Sequence, residues 1–295
     1  VSGPIPESVT TACVAAALFA VMLSLGLTFT LRELREAWRT PGPLARGLFA
    51  VLVAVPLLAL GVVRVFDLPR LTEIGIVLMA ISPGAPVALR RSLGAGGHRA
   101  FAPSLQIVVV VLAVASMPLS IALLNQFYGG QASVDPREVG RQVFVAQLFP
   151  IGLGMAIRQG APAFTTRIAP LVGKIAAGLL VLAIVVVLLS LWDATARAGV
   201  QALAAIATVT VGALAIGHML GGGDPAVRTA LGFSCAARNP GLALLVATQN
   251  NAPPAVSGTI LAYLLVSVLT IVPYEVWRRR AWARSEAQAH RSFGR

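Results

Sequence analysis

Ser82-Pro83-Gly84-Ala85-Pro86 and Arg238-Asn239-Pro240-Gly241 each interrupt a stretch that is otherwise apolar and long enough to cross a bilayer. Pro83, Pro86 and Pro240 lack the backbone N–H a helix needs, and the glycines release the chain from right-handed helical geometry. Unwound backbone survives at membrane depth only where protein or a water-filled cavity satisfies its polar groups. The two breaks lie five spans apart, so their helices enter the bilayer from opposite sides. Two broken helices of opposite entry are the mark of an inverted repeat, with substrate and ion sites where the breaks cross. An ordinary proline kink explains either break alone; it explains the pair poorly.

Working outward, a hydrocarbon core about 30 Å thick needs roughly 20 helical residues. Spans are predicted at about 9–31, 47–63, 71–97, 100–124, 142–157, 168–192, 198–220, 225–249 and 254–277, the fifth being the shortest. The chain is 57% hydrophobic and 12% charged, about half the charge of a soluble domain. The fold class read from this is an all-α integral membrane protein of about nine transmembrane helices in one domain, 1–295. Of the 23 Lys and Arg residues, 17 fall on one side of the alternating spans and 5 on the other, Arg238 being the one inside a span. The positive-inside rule then puts the N-terminus outside and the C-terminus in the cytoplasm of a bacterial inner (plasma) membrane. Residues 1–10 carry no basic region, so no cleavable signal peptide is expected. The arginines of the tail, 278–295, are expected to hold anionic lipid headgroups.

Arg238 at mid-span costs about 2.5–3.5 kcal/mol on insertion scales. Two readings offset that cost. The favoured one has the guanidinium and the helix N-terminus at Asn239 face a carboxylate or sulfonate. The other is an ion pair with Glu73 or Glu275. Cys13 and Cys235 read as small hydrophobes, without a disulfide framework or zinc site. The basic excess is dispersed between spans, which excludes a nucleic-acid surface, and no nucleotide-binding or enzymatic motif is present.

The breaks and the end of the first span carry a resemblance. Leu23-Ser24-Leu25-Gly26-Leu27-Thr28-Phe29-Thr30, Ser82-Pro83-Gly84-Ala85-Pro86-Val87-Ala88 and Ala237-Arg238-Asn239-Pro240-Gly241-Leu242-Ala243 stand in the order and spacing of three motifs of the bile acid:sodium symporter family. The chain resembles its nine-span members, which lack the first helix. The resemblance implies a core bundle (about 43–125 and 198–277), a panel (about 9–31 and 142–192) and sodium-driven uptake of organic anions by alternating access. It implies a substrate site formed by Ser82, Pro83, Gly84, Ala85, Gln106, Ser234, Arg238, Asn239, Pro240 and Gly241. The family's sodium ligands match Val51, Ala88, Leu89, Gln106, Val110, Ser234 and Arg238, and only Asn239 is kept. The residues present therefore disfavour a sodium ion, with no other cofactor implied. The expected function is a secondary transporter of a small organic anion; the competing one is a transport-inactive sensor or scaffold.

Overall fold

The computed structural model describes residues 7–30, 32, 35, 39, 41–127, 135–196 and 199–293. Residues 1–6, most of the Arg/Glu segment after Thr30, Arg197, Arg295 and the side chain of Arg291, which the sequence reading used, lie outside the described residues.

Every element is helical: α1 (Glu7–Thr28), α2 (Pro41–Val65), α3 (Arg70–Ala80), α4 (Pro86–Gly94), α5 (Phe101–Phe127), α6 (Pro136–Gly160), α7 (Pro162–Ser190), α8 (Trp192–Ala196), α9 (Gly199–Leu220), α10 (Pro225–Ala236), α11 (Pro240–Gln249) and α12 (Pro254–Phe293). Among the described residues, eight helices or helix pairs are long and apolar enough to cross a membrane. A ninth crossing is assembled from α3 and α4, whose 11 and 9 residues are each too short to span alone. The chain is an integral membrane protein.

Both expected breaks are present, between α3 and α4 and between α10 and α11. α4 packs on α10, and α3 on α11. The second half of one broken helix thus meets the first half of the other, as opposite entry requires. Gly84, at φ 82°, makes the turn of the first break. α12 packs along α3 and α9, and α9 along α10. On the other flank α1 lies against α6 and α7 and touches α11.

Four helices exceed their expected bounds by six residues or more, α2 and α7 by starting at Pro41 and Pro162. The fifth span starts at Pro136, six residues early, because Asp135 caps it through Arg137 N (2.9 Å) and its charges are paired, Arg141 Nη2 to Glu138 Oε1 at 2.6 Å. The ninth runs on to Phe293, since nothing beyond Trp277 breaks it. Its first tail arginine, Arg278, is buried rather than lipid-facing: Nε donates to Thr229 Oγ1 (2.7 Å), Nη2 to Pro225 O (2.8 Å), and the guanidinium lies over Trp277. The expectation of a headgroup contact fails at this residue, because α10 offers it acceptors the headgroups would otherwise supply.

α1 and α6 approach backbone to backbone through Gly26 and Gly154. A methyl group on Gly154 would lie 2.6 Å from Leu23 O and 2.7 Å from Leu27 N, whereas one on Gly152, a half-turn away, meets nothing within 4 Å. Small residues in such register are how membrane helices pack closely. Gly154→Ala is expected to lower stability in detergent by about 1–3 kcal/mol, the range for overpacking, and Gly152→Ala to leave it unchanged; thermal unfolding of the two variants checks this.

Candidate functional site

The crossing is held by the main chain. Asn239 N donates to Ser82 O across the two breaks at 2.9 Å, and Asn239 Oδ1 accepts from Leu242 N at 3.1 Å, capping α11. Asn239 therefore satisfies one donor of its own break and one acceptor of the other. Ser82 returns its hydroxyl to Leu78 O at 2.6 Å, closing the last turn of α3.

Arg238 is 3% exposed, and Nη1 donates to Val51 O at 3.0 Å. Pro56 explains why that carbonyl is available. In an α-helix Val51 O accepts from residue 55, but here Val55 N donates to Ala50 O in a π-turn over Ala50–Ala54. The next donor in line would be residue 56, a proline without an N–H. Val51 O is thus left without a helical donor, and the guanidinium of Arg238 takes the place. The ion-pair reading of Arg238 is not what the structure holds: Glu275 pairs with Arg91 (2.5 Å) and with Arg279, and Glu73 with Arg70 (3.8 Å). Among the described residues Arg238 has no carboxylate partner, and its Nε and Nη2 have no hydrogen-bond partner.

Beside the crossing lies a cavity of about 230 Å³ between α1, α4, α7, α11 and α12. Ala85, Arg238, Asn239, Pro240 and Gly241 line it, as the sequence reading expected of a shared site. Its other walls are mainly aliphatic: Val14, Leu18 and Val21 of α1, and Leu180, Ile184 and Val187 of α7. Ser82, Pro83, Gly84, Gln106 and Ser234 do not line it. Ser82 works from behind through Asn239. Gln106 is buried on α5 with Nε2 unpartnered, 3.8 Å from where a methyl on Gly84 would stand. Ser234 is half-buried on α10. Two polar lining residues escape the sequence reading: Arg91 reads as a loop charge, although α4 carries it only five residues from its proline start, and Ser267 has no sequence signal at all.

The positions matched to sodium ligands offer little to a cation. Ala88 is buried and carries no side-chain oxygen, and the main-chain oxygen of Val51 already accepts from a fixed positive charge.

The family model for the Sodium Bile acid symporter family matches residues 15–195. The chain belongs to that family. Among its relatives, the probable sodium/metabolite cotransporter BASS2 of Oryza sativa subsp. japonica is 25% identical over 244 residues, 80% of this chain and 57% of that protein. The P3 protein of Mus musculus is 27% identical over 151 residues, 50% of this chain and 32% of that protein. The sodium-dependent transporter YocS of Bacillus subtilis is 26% identical over 138 residues, 47% of this chain and 42% of that protein. The matches thus span about a third to just over half of these relatives' lengths. Membership agrees with the motif resemblance, and the relatives named as transporters do not favour the sensor reading.

The pairing of Arg238 with a carbonyl freed by Pro56 is open to a double-mutant cycle. Arg238→Met alone strands a buried acceptor. In a Pro56→Ala background residue 56 regains an N–H that can serve it, so the cost of Arg238→Met should fall by about 1–3 kcal/mol. Unfolding in detergent measures all four proteins, and additive costs would show that the two residues are not linked.

Proposed function

We propose that the chain is a secondary transporter of an amphipathic organic anion, seated in a bacterial inner membrane with its N-terminus outside and its C-terminus in the cytoplasm. The observation that carries this reading is Arg238: a buried guanidinium with two nitrogens unpartnered, in the wall of an aliphatic cavity at the crossing of two broken helices. The apolar body of the substrate lies between α1 and α7. Its carboxylate or sulfonate faces Arg238 and the N-terminus of α11, where guanidinium and helix dipole act with one sign. The core bundle, about 43–125 and 198–277, moves against the panel of α1, α6 and α7, and the seam holding the cavity opens alternately to the two sides.

Sodium coupling does not belong to this reading. A sodium ion about 4 Å from Arg238 would be repelled by about 4 kcal/mol at an effective dielectric of 20. It would also lack the several oxygen ligands that hard cations take. Arg238 acts as a permanent tethered cation, and anion binding needs no ion to complete the site.

A thermal-shift screen of carboxylates and sulfonates identifies a ligand, since one that binds the folded state raises its apparent stability. Cholate represents the amphipathic class in proteoliposomes. Counterflow of labelled against unlabelled anion is expected to proceed at the same rate when sodium is replaced by N-methyl-D-glucamine. Arg238→Ala is expected to weaken anion binding about 10- to 100-fold, the worth of one charged hydrogen bond, with Arg238→Lys retaining part of it. A steep, saturable dependence on sodium would refute the uncoupled mechanism, and binding without exchange would refute transport.

A further inference from the structure

A second recess, about 470 Å³ in volume, opens at the end of the bundle where α1 and α6 finish and α7 begins. Arg90 of α4, Arg158 of α6 and Lys174 of α7 line it together with the hydroxyls of Ser24 and Thr28 of α1 and Thr166 of α7. Among the described residues no acidic side chain lines it. The ion pairs among the described residues engage other cations, namely Arg70, Arg91, Arg141 and Arg279.

Its geometry is that of a built recess rather than a scatter of surface charge. Arg158 Nη1 donates to Leu27 O at 2.9 Å, which fixes that side chain over the C-terminal turn of α1. Gly173 lets α7 come close: a methyl group there would lie 3.4 Å from Ser24 Oγ and 3.7 Å from Arg90 Nη2. Arg90 therefore reaches from the first broken helix across to α7. The recess lies on the same seam as the aliphatic cavity. On α1, Ser24 and Thr28 continue the stripe of Val14, Leu18 and Val21, yet the two sets of lining residues share no member.

The chemistry differs completely between the two. The side-chain polar groups of the recess are a guanidinium pair, an ammonium and three hydroxyls, of which those of Thr28 and Thr166 donate to Leu25 O (2.8 Å) and Ala163 O (2.9 Å), and the three positive charges meet no counter-charge among the described residues. A singly charged carboxylate leaves most of that charge unanswered. A phosphate monoester carries about −1.5 to −2 charges and three strong acceptor oxygens, which suits several donors on separate helices. Basic pockets between membrane helices take phosphorylated headgroups for this reason.

We propose that this recess binds a phosphate monoester, supplied by the headgroup of phosphatidic acid or by soluble phosphate, and that the bound group bridges α4 to α6 and α7. The site is separate from the cavity and does not depend on the transport reading.

The test uses the full chain, delipidated in detergent. Phosphatidic acid is titrated and followed by native mass spectrometry, with phosphatidylcholine as the zwitterionic comparison. Inorganic phosphate is titrated against chloride at constant ionic strength and followed by thermal shift. Arg90→Gln/Lys174→Gln changes two exposed side chains and leaves the helix contacts intact. Arg284→Gln, another exposed arginine of the basic tail, controls for general charge. The double variant is expected to lose affinity about 25-fold, about fivefold for each cation removed, with Arg284→Gln losing no more than about fivefold through its own headgroup contact. Saturable binding of phosphatidic acid alone, lost in the double variant, identifies the lipid headgroup as the source. The same dependence with inorganic phosphate identifies soluble phosphate. Equal affinity in wild type and double variant, an equal loss in Arg284→Gln, or no preference for either ligand over its control would overturn the site. Cholate counterflow plays no part in these readouts, so the proposal and the carrier mechanism fail separately.

Discussion

One main-chain hydrogen bond, Asn239 N to Ser82 O, fixes the centre of this molecule. In hydrocarbon each unpaired backbone group costs several kcal/mol, so two helices can come apart at mid-depth only if they come apart together. The contact makes each break a partner of the other. It brings α4 against α10 and α3 against α11, and leaves the free N-terminus of α11 at a cavity. The fold of the remaining spans serves to hold those two places in register.

A second accounting of backbone groups places the charge. Pro56 leaves the Val51 carbonyl without a helical donor, and Arg238, expensive at this depth, finds there an acceptor that costs the protein no carboxylate. Two local defects, a missing N–H and a buried cation, thus meet and partly relieve each other. The relief is incomplete, since two guanidinium nitrogens are left over. Where the motif resemblance implies oxygen ligands for a cation, this chain places a cation of its own, Arg238.

Much of this was legible in the sequence because membrane depth turns single residues into strong signals. Proline and glycine in an apolar span, or an arginine among leucines, have few structural explanations, so both breaks and the burial of Arg238 were readable. The destination of the guanidinium was not. Arg238 finds its acceptor 187 residues away, and Pro56, the cause, reads in sequence as an ordinary proline. The same limit hid Arg91 and Arg278. A charged residue near a span end looks like an interfacial anchor whichever way it turns, and only packing decides that Arg91 lines a cavity and Arg278 binds α10. Ser267 was invisible because a serine in a helix normally bonds its own carbonyls, as this one does to Leu264 O at 3.0 Å.

The attachment of Arg278 to α10 has a mechanical consequence. α12 continues fifteen residues past that bond to Phe293 without a proline to soften it. At 1.5 Å per residue this is an arm of about 22 Å, pinned at its root to half of a broken helix. A rotation of that half by roughly ten degrees would sweep the far end through about 4 Å. Displacements too small to notice at the bilayer midplane would be written large outside it, like the needle of a gauge.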